Sequence, residues 1–340
     1  MFKKGLVTAV GAGSLFCPLM VSAGDLEDRV LELEAMAEES AEAIDTAPRV
    51  SGYVDSEYKM YRDKSGATPE FRIHHLSVFV EKKFDDKLKF FSEVEWEDGP
   101  EFEGATADGK IFLEAVNLDY TFNPMAHVRM GRFFTPAGIW SVDHYPPFVP
   151  TQERPAVIRK VFPAITDGLL VHGTVPVGSN FLNYDAYVGN GSGNTGHGDK
   201  DTHKAKGLKL DVVVPGANTN VGLTVYQDDA DNELTGTGLH AKSRIASFTL
   251  QAEWAKGKMD AINAEKDGWY FQALYDINDW TYGVRVDTYD DGSKTKDTNS
   301  LIVNYHYSPS VVLKGEYHDI DDGGNTSGAA ILSVAAFLGN

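Results

Sequence analysis

Residues 280–290 read WTYGVRVDTYD and alternate between two kinds of side chain. Trp280, Tyr282, Val284 and Val286 fall on one face of an extended strand. Thr281, Arg285 and Asp287 fall on the other face. A period of two residues is typical of a β-strand with two chemically different sides. This strand alone fits two folds, because a soluble sheet would bury its apolar face and a membrane barrel would turn that face toward lipid.

The same pattern recurs after Pro48, interrupted by Gly, Asn, Asp and Pro. It predicts 16 strands, near residues 50–61, 70–83, 87–97, 110–122, 126–135, 167–175, 181–190, 204–214, 220–228, 235–242, 245–256, 267–276, 280–290, 298–307, 310–320 and 328–338. An even number of strands returns the C-terminus to the side of the N-terminus, as in bacterial outer-membrane barrels.

The connections between these strands alternate in length. Every second one is short, such as Asp85-Asp86, Ile277-Asn278-Asp279 and a break near Ser243, whereas the others are long and polar, such as Gly191 to His203. Short periplasmic turns and long extracellular loops distinguish an outer-membrane barrel from a soluble sandwich. The sequence therefore predicts an all-β protein, a transmembrane antiparallel β-barrel of about 16 strands over residues 48–340.

Aromatic residues collect at the ends of the predicted strands. Trp96 and Trp254 fall at the end of the barrel that carries the long loops, and Trp280 and Tyr305 fall at the end that carries the short turns. Two aromatic belts at the water interfaces are typical of a barrel in a bilayer. The mean hydropathy of −0.28 is compatible with this fold, because alternating strands average to near neutrality.

The N-terminal residues have the pattern of an export signal. Lys3 and Lys4 precede an apolar stretch, and Val21-Ser22-Ala23 resembles a cleavage site for signal peptidase. We therefore predict a signal peptide over residues 1–23 and an outer-membrane location in a Gram-negative bacterium. Its removal leaves 29 basic against 50 acidic residues, a formal charge of −21, which disfavours nucleic acid as a partner.

Residues 24–47 have a different character from the rest of the chain. Between Asp25 and Asp45 there is neither Gly nor Pro, and Leu26, Val30, Leu33, Ala37 and Ile44 follow heptad spacing. We predict a short periplasmic coiled-coil helix that self-associates, because a lone helix of this length is marginal in water. A mostly disordered acidic linker is the alternative.

No enzyme or cofactor chemistry is predicted. Gly191, Gly193 and Gly196 form a G-x-G-x-x-G pattern, but no apolar helix follows as a dinucleotide site requires. His197 and His203 flank two aspartates in the same outer loop, without any visible outer-shell support for a metal ion. We therefore expect no catalytic residue, no metal site and no cofactor.

Several stretches resemble the phosphate-selective porin O and P family, clearly over about residues 71–191. The stretches that carry the resemblance are Phe71-Arg72-Ile73, Val78 to Asp86, Phe90 to Trp96, Leu118-Asp119-Tyr120, Val128 to Phe133 with Pro136, Gln152-Glu153-Arg154-Pro155, Phe162-Pro163, Asp167-Gly168 and Tyr187 to Gly191. The resemblance implies a 16-stranded, trimeric porin with an N-terminal coiled coil and a third loop folded into the lumen. Thr166 stands where this family has an arginine, and the wall strands are rich in acids.

The longest connection, Thr135 to Thr166, is predicted to fold into the lumen and narrow it, because its six prolines stiffen it. The candidate constriction residues have a net charge of +1 and are Arg154, Arg159, Lys160, Glu153 and Asp143. The candidate lumen-wall residues are Asp55, Glu57, Glu93, Glu95, Asp119, Asp185, Arg285, Asp287 and Glu316.

These observations predict an outer-membrane porin, a water-filled diffusion channel for small ions and solutes. The basic loop favours a weak preference for anions, phosphate included, because fixed charge selects most strongly where a pore is narrowest. Two alternatives stay open: a general or cation-selective porin with an acidic lumen, and a structural or adhesive barrel without transport. The expected partners are small ions and solutes, outer-membrane lipid and two further copies of the chain in a homotrimer.

The coiled-coil prediction can be tested by deleting residues 25–45. The barrel should still fold, because no predicted strand is removed, whereas the oligomer should dissociate more readily in detergent. Cross-linking and circular dichroism of the truncated protein measure the two effects. A truncated chain that fails to fold would show that the segment belongs to the barrel.

Overall fold

The computed structural model describes residues 47–64, 66–103, 106–191, 198–199, 201–230 and 233–339. The predicted signal peptide and all but the last residue of the predicted helical segment, 24–47, lie outside these residues. No helix in the described part of the chain is long and apolar enough to cross a membrane.

The described chain forms a closed antiparallel barrel. Each strand pairs with its neighbours in sequence, and the first strand pairs with the last to close the sheet. The strands are β1 Arg49–Arg62, β2 Glu70–Lys83, β3 Leu88–Glu103, β4 Thr106–Asn123, β5 Ala126–Phe134, β6 Ile165–Val177, β7 Asn180–Gly189, β8 Ala205–Val214, β9 Thr219–Asp228, β10 Leu234–Ile245, β11 Phe248–Met259, β12 Ala264–Ile277, β13 Trp280–Asp290, β14 Thr295–Ser308, β15 Val311–Asp322 and β16 Asn325–Phe337. Two 3₁₀ turns lie at Pro215–Ala217 and Asp260–Ile262. The predicted barrel of 16 antiparallel strands is confirmed.

Two predicted boundaries are wrong. The connection predicted between residues 97 and 110 is largely strand, because β3 continues to Glu103 and β4 begins at Thr106. The predicted break near Ser243 is absent, because Ser243 pairs with both Thr219 and Leu250 and β10 continues to Ile245. The turn lies instead at Ala246, which has a positive φ of 52°.

The structure resolves the two possible orientations of residues 280–290. Val284 is 48% exposed on the outside of the barrel, whereas Arg285 is 1% exposed on the inside. The same division holds along other strands, where large apolar side chains such as Phe71 and Leu301 point outward. An apolar outer wall around a polar interior is the arrangement that a bilayer requires.

Two of the register shifts in the barrel, in β2 and β4, each add one residue and change the alternation locally. In β2, Asp55 pairs with His75 and Ser56 pairs with Ile73, so that His74 is an extra residue. In β4, Glu93 pairs with Ala115 and Val94 with Leu113, which makes Glu114 the extra residue. Because a bulge redirects a side chain, His74 turns toward the interior beside His75, and Glu114 beside Ala115.

The connection between β5 and β6, residues 135–164, enters the barrel and is called L3 below. It supplies half of a hydrophobic core that lies inside the barrel, and side chains of β5–β9, β11 and β12 supply the other half. The buried members are Phe133, Ala137, Trp140, Val149, Val157, Ile158, Val161, Phe162, Leu170, Tyr187, Ala205, Tyr226, Ala255 and Tyr270. L3 therefore closes much of one side of the lumen with packed side chains.

The orientation of β13 makes a quantitative prediction. Val284→Arg should lower the free energy of unfolding by about 2–4 kcal/mol, because it places a cation on the lipid face near the middle of the strand. Thr298→Arg on the inner face of β14 is the matched control and should cost much less. Urea titration of the protein refolded into lipid vesicles measures both, and equal losses would contradict the assigned orientation.

Candidate pore constriction

The first half of L3 is anchored by one carboxylate of the barrel wall. Glu253 on β11 accepts hydrogen bonds from the backbone N–H groups of Ile139, at 2.9 Å, and Trp140, at 3.1 Å. Tyr270 donates a third hydrogen bond to the same carboxylate at 2.6 Å. Gly138 has a φ of +58° and lies against this carboxylate, where a Cβ would collide with it. The chain can therefore turn here only with glycine.

The tip of L3 is held by carboxylates from the opposite wall. The backbone N–H of Gln152 donates to Glu316 on β15 at 2.6 Å, and its side-chain amide donates to Asp55 on β1 at 2.9 Å. On β13, Asp287 accepts a hydrogen bond from the backbone N–H of Ala156 at 3.1 Å. L3 therefore crosses the lumen and is bonded to the wall on both sides.

Arg285 donates hydrogen bonds to the tip of L3 next to these carboxylates. Its guanidinium donates to Thr151 Oγ1 at 2.7 Å and to the backbone carbonyl of Glu153 at 2.9 Å. The neighbouring Asp287 lies 3.3 Å away and offsets its charge. Arg285, predicted as a wall residue, thus fixes the tip of L3 and has little free charge left for the lumen.

The second half of L3 packs against a part of the wall that lacks side chains. The ring of Phe162 lies over Gly236 and Gly238 of β10, where an added Cβ would approach it to 2.8 Å and 3.1 Å respectively. Val161 packs in the same way against Gly257 of β11. These glycines form the shallow groove into which the apolar side of L3 fits.

The structure places the five candidate constriction residues in different environments. Glu153 accepts a short hydrogen bond from Lys59 of β1. Arg159 donates to His144 Nε2 at 3.2 Å and lies 4.0 Å from Glu114. Asp143 lies 4.0 Å from Lys242, and Lys160 is exposed. The Arg154 side chain lines the space beside L3 and has no hydrogen bond or ion pair among the described residues.

Two groups of L3 have shifted pKa values that bear on the charge of the lumen. Burial raises the pKa of the Glu153 carboxyl, but the adjacent Lys59 ammonium outweighs burial and lowers this pKa to about 2. Burial, followed by the charges of Arg154 and Arg159, lowers the pKa of His144 well below its ordinary value. At neutral pH Glu153 is therefore ionised and paired, and His144 adds no charge.

The candidate wall residues all point to the interior, but most are engaged. Asp119 accepts from Arg129 at 2.8 Å, and Glu93 accepts from Ser77 at 2.9 Å and from Tyr145 at 3.1 Å. The buried members of the set are Asp55, Glu57, Glu93, Glu95, Arg285, Asp287 and Glu316, and the half-buried members are Asp119 and Asp185. Their predicted role as a pore lining stays a prediction.

Four interior residues were missed in the sequence. His74 and Glu114 lie in bulges, and strict alternation assigns them to the outer face. Lys59 and Lys296 are lumen-facing cations on β1 and β14 that their alternation with neighbouring residues could have identified. The Lys296 side chain has no hydrogen-bond or ion-pair partner in the described part of the chain.

Two cavities remain open beside L3, with volumes of about 410 Å³ and 320 Å³. Both are lined by Glu153, Arg154, Ala156 and Lys296, so that these residues stand between them. A third cavity of about 450 Å³ lies on the side of the short turns, next to Pro147–Pro150 and Asn304. The Arg154 side chain therefore borders both of the cavities beside L3.

Comparison with known proteins agrees with this architecture. A family model described as Gram-negative porin matches residues 172–325. An uncharacterized protein of Aquifex aeolicus (strain VF5) is 32% identical over 121 residues, which are 35% of this chain and 27% of that protein. The chain therefore aligns with only about a quarter of that relative.

Solved structures with the same fold include an anion-selective porin from Comamonas acidovorans, with a TM-score of 0.66 and 12% identity. A loop L8 deletion mutant of OmpT from Vibrio cholerae has a TM-score of 0.64 and 13% identity, and the trimer form of OmpT folded in vitro has a TM-score of 0.60 and 13% identity. Each match covers 86% of this chain and 99% of the other.

The barrel has the fold of a porin. The family match and the fold support the predicted function, an outer-membrane porin channel, and the predicted location in the outer membrane of a Gram-negative bacterium. They also point to a channel rather than an enzyme. The porin match is broader than the phosphate-selective O and P family that the sequence resembles.

The anchoring of L3 can be tested at Gly138. Gly138→Ala should detach the start of L3, because the new Cβ displaces the Glu253 carboxylate and the positive φ costs roughly 1–2 kcal/mol. Trypsin should then cleave faster at Arg159 and Lys160. Gly178→Ala is the matched control, since Gly178 has a φ of +62° and nothing within 4 Å of the added Cβ. Equal cleavage rates in the two variants would contradict the anchoring role of Glu253.

Proposed function

We propose that this porin conducts small ions and solutes past L3 with a weak preference for anions. The observation that carries the proposal is the position of Arg154. Its guanidinium lines both cavities beside L3 and has no hydrogen bond or ion pair among the described residues. Lys160 and Lys296 line the larger cavity with it and are likewise free of such partners there. Fixed cations at a narrow passage attract anions.

The acids of the wall weigh less than their number suggests. Glu253, Glu316 and Asp287 each accept hydrogen bonds from L3 backbone amides, and Asp55 accepts one from the Gln152 side chain. A carboxylate bonded in this way points its oxygens at the protein rather than at the open space beside L3. The net charge of the groups that line the cavities next to L3 is therefore more positive than the net charge of the whole chain.

Phosphate is the anion that the family resemblance favours, and we include it among the proposed solutes. This chain differs from the family at one position that bears on phosphate selectivity. Thr166, at the position of the family's arginine, shares a hydrogen bond with Thr135 at 2.7 Å and closes the base of L3. Selectivity for phosphate would then rest on Arg154, Lys160 and Lys296 rather than on a cation at residue 166.

Cation preference is the second candidate. Glu57 and Glu97 line the same 410 Å³ cavity as Arg154, and Glu97 has only a distant contact with His75 at 3.8 Å. If ions pass along β1–β3 rather than along L3, these carboxylates would dominate. The two candidates predict opposite signs of the reversal potential in a salt gradient.

We further propose that the working form is a homotrimer. The support comes from the fold, because one of its structural neighbours, OmpT of Vibrio cholerae, is known in a trimer form. The apolar outer wall of this barrel can face either lipid or a second copy. Cross-linking of the protein in native-like vesicles measures the number of copies.

Reversal potentials in planar bilayers test the selectivity. Arg154→Ala should shift the preference toward cations most strongly, Lys160→Ala less, and Arg159→Ala least, because Arg159 already lies beside Glu114 and His144. Lys258→Ala is the control, since Lys258 pairs with Asp260 at the rim, at 2.6 Å. A cation-selective wild type, or an Arg154→Ala variant that behaves like the control, would refute the proposal.

A further inference from the structure

The bulge in β2 brings two consecutive histidines to the interior surface. His74 and His75 have ring centroids 3.8 Å apart, and both rings turn their Nδ1 atoms toward Asp55. His75 Nδ1 lies 2.8 Å from Asp55 Oδ1, and His74 Nδ1 lies 3.4 Å from Asp55 Oδ2. In a regular strand the second ring would point outward, so the bulge creates the cluster.

We propose that Asp55, His74 and His75 bind a divalent transition-metal ion of the zinc class. Imidazole nitrogens together with a carboxylate oxygen are ligands that such ions take. Tetrahedral ligands at about 2.0–2.2 Å from zinc lie about 3.3 Å from one another. The 3.4 Å separation of His74 Nδ1 and Asp55 Oδ2 already matches this spacing, and Glu57 Oε2, 3.7 Å from the same nitrogen, can supply a fourth ligand.

An unsatisfied atom supports the assignment independently. His74 Nδ1 is buried and has no hydrogen-bond partner among the described residues. A buried polar atom without a partner is unfavourable, and coordination of a metal ion would satisfy it. The charged groups within 4 Å of the two rings also favour a cation, because they are the carboxylates Asp55, Glu57 and Glu97. The guanidinium of Arg72 lies 3.1 Å from Glu57.

The cluster is accessible and lies next to L3. His74, His75 and Glu57 line the 410 Å³ cavity, so an ion can reach them from the lumen. Asp55 also accepts the Gln152 side-chain hydrogen bond at 2.9 Å, which links the cluster to the tip of L3. A bound ion would place two positive charges beside Arg154, in the same cavity, and would compete with Gln152 for Asp55.

A second histidine cluster serves as the matched comparison. Asp119, His127 and His172 also lie within reach of one ion, with the two rings stacked at 4.9 Å. Arg129 Nε donates a hydrogen bond to Asp119 Oδ2 at 2.8 Å, and Arg129 Nη2 lies 2.7 Å from the same oxygen. Its guanidinium therefore neutralises the only carboxylate of that cluster, which makes it the poorer cation site.

Binding of Co²⁺ to the purified, detergent-solubilised protein tests the proposal without any need for channel activity. The visible absorption of Co²⁺ reports its ligands, and titration gives the dissociation constant, with Zn²⁺ as competitor. The double variant His74→Asn/His75→Asn should bind about 10-fold more weakly or worse, whereas His127→Asn/His172→Asn should bind like the wild type. The reverse order, or no binding by the wild type, would overturn the proposal.

Asp55→Asn is a second variant in case the double substitution does not fold, and it should weaken binding to the same extent. Zn²⁺ added to a planar bilayer provides a functional measurement. It should change the single-channel conductance of the wild type reversibly, with chelator restoring it, and should leave His74→Asn/His75→Asn unaffected. Because the absorption titration does not depend on conduction, a failure of the channel proposal and a failure of the metal site can be told apart.

Discussion

A loop inside a barrel must satisfy its backbone polar groups without a neighbouring strand, and this constraint organises the interior of the protein. A buried N–H group left without an acceptor costs about 1–3 kcal/mol. Residues 139, 140, 152 and 156 of L3 solve the problem with carboxylate acceptors from the wall. Hydrogen bonds to charged acceptors are stronger than neutral ones, so a few carboxylates can hold a long loop in one position.

Because wall carboxylates anchor L3, the number of acids in the wall does not by itself give the charge selectivity of the lumen. Glu253, Asp287 and Glu316 are the kind of residues that a count of charges would assign to cation attraction. In the structure they bond to L3, and the side chain that faces open space from the tip of L3 is the cation Arg154. Net charge therefore predicts solubility and long-range fields, whereas the sign of the charge at the passage depends on which groups are left unpaired.

The fold was predictable because its information is local. Alternation with a period of two, turn residues and loop lengths are all readable along the chain, and every predicted strand overlaps an observed one. The failures are also local. The sequence predicts a break near Ser243, and only the pairing of Ser243 with Thr219 and Leu250 shows that the strand continues.

The interior was less predictable, because it depends on register and on contacts distant in sequence. His74 and Glu114 each stand at the place where one strand has a residue more than its partner, and no single sequence reveals that mismatch. The pairing of Lys59 with Glu153 joins residues 94 positions apart. The direction of L3 could be inferred from its length and prolines, but the partners of its charged groups could not.

The two sides of the barrel interior differ in a way that follows from the packing of L3. On β10 and β11, Gly236, Gly238 and Gly257 leave room for Phe162 and Val161, so that this side is filled by apolar contacts. Such contacts exclude water and ions, since the interior there is packed like a protein core. The two cavities beside L3 lie on the opposite side, between L3 and the ionisable groups of β1–β3 and β13–β15. An ion that enters these cavities lies close to one wall, and the bulge residue His74 is part of that wall.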